Sequence, residues 1–417
     1  MDTISEADGG INTNWKLYVA MSVAGIILII VLAIMTELWV LTALPIGFLF
    51  GFFLQKGNLC GASAFSEIIM FKDRSKVWGL WIAIVTGMIG FAILDLAGLI
   101  VLNPKPLIWG SYIVGGLIFG VGMVLAGGCV SGCLFKAGAG NLASIIAILG
   151  IALGVALVEY GPLYPYYTGL KSMVIKSADG GSVTLASLTG LPFWLIALIV
   201  LALTIIYAFW SNKGRVRSSS SLSFKNKILA RSWKPWQAGL LIGLLGSAAY
   251  LSSDISGRNY PLGVTHGVLH VQLLMTEQNL NHIYQKKVVK VENTTKSDAE
   301  ITKNVSSPPA VATATPQKKV SWWLILLVTS LILGSWFSGR LSGESRLRAK
   351  PPQEVLVALV GGLLVGIGAA LARGCVVGNI MSGWALMSIG TVLFGIVVII
   401  ANWITTYFYL MGGPSRK

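Results

Sequence analysis

Residues 115–133 read GGLIFGVGMVLAGGCVSGC, and residues 361–379 repeat this phrase as GGLLVGIGAALARGCVVGN. Eleven of the nineteen aligned positions are identical, among them Cys129 and Cys375 and the glycine before each. Chance matches arise easily between Leu- and Gly-rich stretches, but they do not account for the shared LAxGCVxG block. Glycines along an apolar helix favour close helix packing, and a glycine beside a cysteine favours a chain break. The repeat therefore predicts two related breaks, each carrying a thiol in apolar sequence.

Composition places the chain among integral membrane proteins. It is 55% hydrophobic and 11% charged, with a mean hydropathy of +0.76; a soluble protein needs more charge to cover its surface. Several apolar runs reach the roughly 20 residues that cross a bilayer. We therefore expect an all-α polytopic membrane protein. Its predicted membrane segments are the long runs 16–40, 79–102, 141–160, 191–211, 321–339 and 385–411, and the shorter Gly-rich runs 41–55, 111–127, 237–252 and 355–372.

The net charge of +15 has its source in the loops. Lys and Arg cluster at 72–76, 213–234 and 340–350, as is typical of cytoplasmic loops in membrane proteins. This charge predicts an orientation with the acidic N-terminus outside, and it predicts no nucleic-acid partner. Residues 1–14 lack the basic region and cleavage site of a signal peptide, so we interpret them as a polar tail.

Spacing of the glycines predicts two related, pseudo-symmetric halves. The region before Cys60 and the stretch 239–257 repeat parts of the same glycine pattern, and in the second of these Ser252 holds the cysteine position. We expect a first repeat at 15–212, a basic linker at 213–234 and a second repeat at 235–412. The polar stretch 277–319 interrupts the second repeat, and its composition suits a flexible loop outside the membrane.

Each predicted break would bring a helix N-terminus close to a thiol. Helix N-termini offer unpaired N–H donors and partial positive charge, so converging N-termini form an anion site without a buried cation. A cysteine adds a weak S–H donor and a polarisable acceptor. This combination favours a soft anion that contains sulfur, because a hard anion such as phosphate gains more from Arg or Lys clamps. In duplicated transporters the substrate binds where such half-helices converge.

Three cysteine segments, QKGNLCGAS (55–63), LAGGCVSGC (125–133) and LARGCVVGN (371–379), resemble the YeeE/YedE sulfur-transport family, which includes thiosulfate permeases. The resemblance spans nearly the whole chain. It implies a multi-pass protein of the bacterial inner membrane in which discontinuous half-helices meet near mid-membrane. It also implies that Cys60, Cys129 and Cys375 pass thiosulfate inward by S–H···S hydrogen bonds without covalent capture, with Cys129 in the centre. A small TusA-like sulfur-carrier protein in the cytoplasm is the partner that the resemblance implies.

Two features depart from the family pattern, and two basic residues allow two interpretations. Cys133, one turn after Cys129, is either a packing residue or part of a second thiol site. The insertion at 277–319 has no place in the pattern. Lys56 and Arg373 precede two of the cysteines; they either extend toward the membrane interface or draw anions to the entrance.

Other polar residues near the breaks also have alternative roles. Asn58, Asn141 and Asn379 flank the breaks and are candidates either for helix capping or for anion binding. Glu67 is a candidate proton-coupling carboxylate, or it pairs with the basic loop that follows it.

Rival functions remain open at the level of sequence. Cys129 with Cys133 or Cys375 would suit a membrane thiol redox or persulfide enzyme. Together with His266 and His270, the cysteines would suit a soft-metal carrier, and related family branches are associated with selenium compounds. The chain has no evident phosphate loop, nucleotide fingerprint or hydrolase triad, so we expect a transporter without a cofactor.

Overall fold

The computed structural model describes residues 15–177, 180–212, 233–277, 280–284, 318–343 and 350–412. The predicted tail at 1–14, nearly all of the basic linker and most of the polar insertion lie outside these residues. The helices are α1 Trp15–Thr36, α2 Ala43–Gly57, α3 Gly61–Phe71, α4 Ser75–Leu96, α5 Trp109–Leu125, α6 Val130–Gly138, α7 Leu142–Glu159, α8 Tyr164–Lys171, α9 Leu185–Thr189, α10 Phe193–Asn212, α11 Pro235–Ile255, α12 Thr265–Thr276, α13 Trp322–Leu341, α14 Pro352–Leu371, α15 Ser382–Ala385 and α16 Ile389–Thr405.

Short elements complete the described part of the chain. A 3₁₀ turn, Trp39–Thr42, precedes α2, and π-helical turns precede α15 (Val376–Met381) and follow α16 (Thr406–Leu410). Strand β1 (Leu107–Ile108) pairs antiparallel with β2 (Val174–Ile175). Strand β3 (Leu280–Ile283) pairs parallel with β4 (Lys318–Ser321), in the register Leu280 with Lys318. This second pair closes the base of the polar insertion.

The protein is an all-α polytopic membrane protein, as its composition predicts. Among the described residues, ten helical segments are long and apolar enough to cross a membrane, and each corresponds to one of the ten predicted segments. The predicted segment 79–102 extends too far, because α4 ends at Leu96 and the chain turns at Gly98, whose φ is 67°. Helix α12 has no counterpart among the predicted segments, since its 12 residues include two histidines, a glutamine and two threonines.

Glycines of the repeated phrase lie where helices cross most closely. A Cβ on Gly115 would stand 2.8 Å from the carbonyl oxygen of Gly368, and a Cβ on Gly122 would stand 2.9 Å from that of Gly361. The contacts are reciprocal, since Gly368 faces Gly115 and Gly361 faces the end of α5 at Leu125. Helices α5 and α14 therefore cross antiparallel with their backbones touching, which is the role that the small-residue pattern predicts.

Other pairs of packed helices also match across the two halves of the chain. Helix α2 packs on α13 while α4 packs on α11, and α7 packs on α14 while α5 packs on α16. Two halves related by a pseudo-two-fold axis would produce these pairs, because the operation that takes α5 to α14 also takes α7 to α16. The division at 15–212 and 235–412 stays a prediction that this pattern supports.

The three basic loops flank residues that meet at one end of the helices. Lys56 Nζ donates to Ser342 Oγ at 2.6 Å, and Trp233 N donates to Lys56 O at 2.8 Å. A Cβ on Gly79, one turn into α4, would stand 2.6 Å from the carbonyl oxygen of Pro235. We call this the basic end; helices α4 and α11 begin there and α13 ends there, and each spans about 30 Å at 1.5 Å per residue, which reaches the opposite end.

The glycine pattern at 239–257 does not mark a chain break at Ser252. Ser252 lies inside the continuous helix α11, where its Oγ accepts a hydrogen bond from Trp323 Nε1 at 2.8 Å. The chain leaves α11 at Ile255 and starts α12 at Thr265, with Gly257 and Asn259 at positive φ in between. Glycine spacing located the helix but not its end, because the end depends on these left-handed residues.

Candidate functional site

The three relay cysteines occupy the same place in three chain breaks. Each is the residue just before a half-helix: Cys60 precedes α3, Cys129 precedes α6, and Cys375 precedes the turn Val376–Met381. Two residues before each cysteine the backbone is left-handed, with φ values of 44° at Asn58, 66° at Gly127 and 56° at Arg373. The left-handed residue ends the incoming helix, and the extended cysteine then starts the next one.

At each break the new helix begins with unpaired N–H donors. The first intrahelical bond is accepted by the cysteine carbonyl, from Ala64 N to Cys60 (2.9 Å), from Cys133 N to Cys129 (2.8 Å) and from Asn379 N to Cys375 (2.8 Å). The three N–H groups before each of these donors have no helical acceptor. None of the three thiols makes a capping bond to its own helix. The donors and the positive ends of the helix dipoles therefore lie beside the thiols.

The three breaks converge inside the protein. Gly132 packs against two of the thiols, since a Cβ there would overlap Cys60 Sγ and stand 3.6 Å from Cys129 Sγ. Gly61, next to Cys60, packs on Val376, next to Cys375, since a Cβ there would stand 2.7 Å from Val376 Cγ1. Cys60 and Cys129 are fully buried and Cys375 is 1% exposed.

Cys133 packs against the break of Cys129. Its thiol donates to the carbonyl oxygen of Gly128 at 3.6 Å, and the carbonyl oxygen of Ala126 is 4.0 Å away. These carbonyls lie where the helical ladder of α5 is interrupted. All four cysteines are free thiols, so the contact of Cys133 with the break suits a structural role.

A cavity of about 1350 Å³ opens at the end of the molecule opposite the basic end, and we call it the vestibule. Its floor includes Gly374 and Gly378, on either side of Cys375, and its wall includes the residue that starts α12, Thr265. Among its described lining residues there is one carboxylate, Glu159, which pairs with His266 at 2.9 Å. Six of its lining residues are lysines or arginines: Lys105, Lys171, Arg258, Lys318, Lys319 and Arg373.

Lys105 lies at the centre of the vestibule floor, and sequence reasoning missed it. Its Nζ donates to Arg373 O at 2.6 Å and to Asn379 Oδ1 at 2.7 Å, and stands 4.8 Å from the centre of the Tyr260 ring. Burial, with smaller contributions from the charges of Arg373 and Arg258, lowers the pKa of Lys105 to about 7. The available sequence signal was the Pro104–Lys105–Pro106 triplet, because two prolines fix the backbone around one lysine.

Arg258 and Tyr260 form the rest of the floor. Arg258 donates through Nη1 to the carbonyl oxygens of Tyr260 (3.0 Å) and Pro261 (2.7 Å), and burial lowers its pKa to about 10. Tyr260 Oη donates to Gly378 O at 2.6 Å, and burial raises its pKa above the usual range. The partners of Lys105 and Arg258 are carbonyl oxygens and aromatic rings. Such partners do not neutralise a positive charge, so that charge can attract an anion.

The predicted accessory residues fall into two groups. Arg373 lines the vestibule, as the interpretation that it draws anions to the entrance requires. Lys56 is 1% exposed and bonded to Ser342 at the basic end, so its side chain does not extend along the protein surface. Packing of α2 against the end of α13 encloses it.

Asn379 and Asn58 shape the breaks in different ways. Asn379 is fully buried, and its Nδ2 donates to Ala372 O (3.0 Å) and Gly374 O (3.1 Å) while its Oδ1 accepts from Lys105. Its amide is thus committed to the break and has no donor left for an anion. Asn58 is an exposed left-handed residue at the end of α2. Asn141 caps α7 by accepting from Ser144 N at 3.2 Å.

Glu67 lies in an ion pair, and the histidines line the vestibule. Glu67 Oε1 pairs at 2.5 Å with Nζ of Lys76, the second residue of α4 and the last of the basic cluster 72–76. His266 and His270 face the vestibule with their rings 6.4 Å apart. Within the described residues, no three His, Cys, Asp or Glu side chains are placed to hold one metal ion.

Comparison with known proteins identifies the family. The sequence profile described as "Sulphur transport" matches residues 56–404 of this chain. This protein belongs to the sulphur-transport family. It is therefore a transporter rather than an enzyme, and the matched residues include all three breaks.

Individual relatives match over most of their length. The chain is 31% identical to the thiosulfate transporter TsuA of Spirochaeta thermophila over 372 residues, which cover 87% of this chain and 96% of that protein. It is 26% identical to the thiosulfate transporter TsuA of Escherichia coli K12 over 388 residues, covering 91% and 96%. A shorter match, 29% over 121 residues, links it to the probable transporter YedE of E. coli K12. The protein is thus a multi-pass membrane transporter of sulfur anions.

Proposed function

We propose that this protein imports thiosulfate, or a closely related sulfur anion, through a relay of S–H···S hydrogen bonds. The observation that carries the proposal is the convergence of Cys60, Cys129 and Cys375, each at the head of a half-helix, behind a vestibule rich in positive charge. The two long relatives named thiosulfate transporters support the same substrate.

The vestibule concentrates the substrate. A concave surface lined mainly by cations attracts anions and raises their local concentration. An anion that reaches the floor meets Lys105, Arg258 and Arg373 before it meets Cys375. Because Lys105 and Arg258 keep carbonyl partners, the anion exchanges contacts with them without being trapped by a rigid bidentate clamp.

Beyond the floor, the breaks receive the two ends of the anion differently. The unpaired N–H groups at the start of each half-helix bind the sulfonate oxygens, which are hard acceptors. The terminal sulfur of thiosulfate accepts weak hydrogen bonds from the thiols, first from Cys375, then from Cys129 and last from Cys60. Each bond is weak, so the anion leaves one position as it gains the next, and conduction needs binding sites of this kind.

Orientation follows from the charges of the two ends. Loops rich in Lys and Arg mark the cytoplasmic side, so the basic end faces the cytoplasm and the vestibule faces outward. In a bacterial inner membrane this arrangement gives import. Asn58 and Gly127, each two residues before a relay cysteine, are exposed in the structure. They mark the side on which a TusA-like carrier would receive the released sulfur.

Growth of a bacterial strain without its own thiosulfate uptake route tests the proposal. Expression of the wild type restores growth on thiosulfate as the sulfur source, and Cys60→Ala, Cys129→Ala and Cys375→Ala do not restore it at equal protein level. Cys133→Ser is the matched control, because it changes a buried thiol outside the relay and keeps growth. Normal growth of all three alanine variants would refute the relay.

Covalent capture by the transporter is the second candidate mechanism, and the closeness of Cys60 and Cys129, both beside Gly132, is the observation in its favour. A relay thiolate would then take the terminal sulfur of thiosulfate as a persulfide, with sulfite as the leaving group. Mass spectrometry of the protein under non-reducing conditions, during thiosulfate uptake, separates the two mechanisms. The hydrogen-bond relay leaves all four thiols unmodified, whereas covalent capture accumulates a species with an S–S bond. Uptake of selenite would instead support a selenium compound as the cargo. A soft metal that copurifies with the wild type and is lost on cysteine substitution would support a metal ion.

A further inference from the structure

Lys105 holds the break of Cys375 from outside that break. It comes from the loop between α4 and α5, yet its ammonium group bonds to Arg373 O (2.6 Å) and to Asn379 Oδ1 (2.7 Å). These two acceptors lie two residues before and four residues after the cysteine. A Cβ on Gly374 would stand 2.8 Å from Lys105 Nζ, so the ammonium rests directly on the broken backbone.

Both acceptors have Lys105 as a hydrogen-bond donor. The Arg373 carbonyl lies at a helix end, where a carbonyl loses its intrahelical donor, and a buried acceptor without a partner is destabilising. Asn379 connects the ammonium to the rest of the break, since its Nδ2 donates to Ala372 O and Gly374 O. Removal of the ammonium therefore loosens the whole segment that carries Cys375.

We propose that Lys105 is a positioning residue for Cys375, whose bridge between Arg373 and Asn379 fixes the thiol that receives the incoming anion. The inference rests on the proposed function, because it concerns the first thiol of the relay. Lys105 acts through the backbone of the break and through its charge at the floor of the vestibule.

A second lysine is placed in the same way at the break of Cys129. Lys136 Nζ donates to the carbonyl oxygen of Gly127, two residues before Cys129. Gly127 and Arg373 hold matching places in the repeated phrase, yet Lys105 and Lys136 come from different elements. The carbonyl two residues before the cysteine is thus covered by an ammonium group at two of the three breaks. This recurrence favours a requirement of the break over an accident of one loop.

The surroundings of Lys105 make its charge sensitive to pH. The charged or titratable groups that face it are Arg373, Arg258, Cys375 and Tyr260. Glu159 and His266, paired with each other, lie on the wall of the same cavity. Within the described residues, Lys105 has no carboxylate partner that would keep it charged.

The sign of the pH effect follows from the lowered pKa. Lys105 carries its charge below a pH of about 7 and loses it above, so it is about 90% charged at pH 6 and about 10% at pH 8. The bridge weakens as the pH rises. We therefore expect the KM for thiosulfate to rise by up to about tenfold between external pH 6 and pH 8.

Uptake by the full-length protein in liposomes tests the inference, with thiosulfate as the probe and Lys105→Met, Lys105→Arg and Lys176→Met as variants. Lys105→Met keeps the length of the side chain without its charge, and Lys105→Arg keeps the charge over this pH range. Lys176→Met is the matched control, because Lys176 is exposed next to β2, the strand that pairs with β1 beside Lys105, and does not line the vestibule. The first readout is KM against maximal rate at both pH values; the second is hydrogen–deuterium exchange of the segment 373–379.

We expect Lys105→Met to raise KM at pH 6 to the wild-type value at pH 8, to remove the pH dependence, and to speed exchange of 373–379 by about tenfold. Lys105→Arg keeps uptake but loses the rise of KM with pH, and Lys176→Met behaves as the wild type. The inference is overturned if Lys105→Met keeps the wild-type KM and exchange, or if Lys105→Arg shows the wild-type rise. If Lys105→Met fails to fold, the profile of Lys105→Arg decides alone. A wild type that takes up no thiosulfate refutes the proposed function, and the exchange of 373–379 still tests the role of Lys105.

Discussion

Gly132 lies between two thiols of the relay, and its replacement by alanine separates them without removing either. A Cβ at this position would overlap Cys60 Sγ and stand 3.6 Å from Cys129 Sγ. Since nonbonded heavy atoms prefer separations of about 3.5–4.0 Å, the Cys60 side chain has to move by about 1 Å or more. That movement changes the placement of Cys60 relative to Cys129, whose Sγ lies beside the same Cβ position.

The cost to stability is small enough for the variant to fold. Adding a methyl group to a packed site costs about 1–3 kcal/mol. Gly132 lies within α6, so alanine recovers about 0.5–1 kcal/mol of helix stability. The net loss is about 0–2.5 kcal/mol. Transport responds more strongly, because a misplacement of about 1 Å in a positioned group can cost about 100-fold.

Radiolabelled thiosulfate uptake into liposomes, beside thermal unfolding of the same preparation, measures the two effects separately. We expect Gly132→Ala to lose at least about tenfold in uptake rate with a small loss of stability. Gly25→Ala is the matched control, since Gly25 lies in the apolar helix α1 with nothing within 4 Å of its position for a Cβ; it keeps wild-type uptake. Wild-type uptake by Gly132→Ala would refute the idea that contact between these thiols carries the anion.

Two further predictions separate structural from functional polar groups. Glu67→Gln removes the partly exposed pair with Lys76, so we expect a stability loss of about 1 kcal/mol or less by thermal unfolding and unchanged uptake; abolished uptake would restore Glu67 as a coupling group. Tyr260→Phe removes the hydrogen bond to Gly378 O while keeping the ring beside Lys105. We expect this variant to lose about 1 kcal/mol of stability and to slow uptake severalfold, and equality with the wild type in both would contradict that expectation.

Much of the fold was predictable because it depends on repeated local patterns. Apolar length identified the ten membrane segments, and the glycines of the repeated phrase predicted close helix packing, as Gly115 makes with Gly368. Cys129 and Cys375 fell at breaks because a left-handed residue two positions earlier ends the helix at each one. Each of these features depends on residues close together in the sequence, so sequence reasoning reached them, although it did not identify the partner helices.

The vestibule floor could not be predicted in the same way. Lys105 reaches Arg373 across 268 positions of sequence, and no local pattern reveals which break a loop lysine covers. Lys56 shows the same limit, because the sequence left two interpretations of this lysine open, and only the structure shows that packing against α13 encloses it. Long-range contacts determine where both side chains lie, and these contacts depend on the tertiary arrangement of the helices.

Uptake by purified protein in sealed liposomes tests the central claim most directly, with thiosulfate and sulfate offered to the wild type and to Cys60→Ala, Cys129→Ala and Cys375→Ala. Sulfate shares the charge and the oxygens of thiosulfate but lacks its terminal sulfur. A relay of thiols predicts that the wild type accumulates thiosulfate and excludes sulfate, and that each alanine variant loses thiosulfate uptake while it stays folded. Equal uptake of the two anions, or wild-type thiosulfate uptake by any one of the three variants, would contradict it.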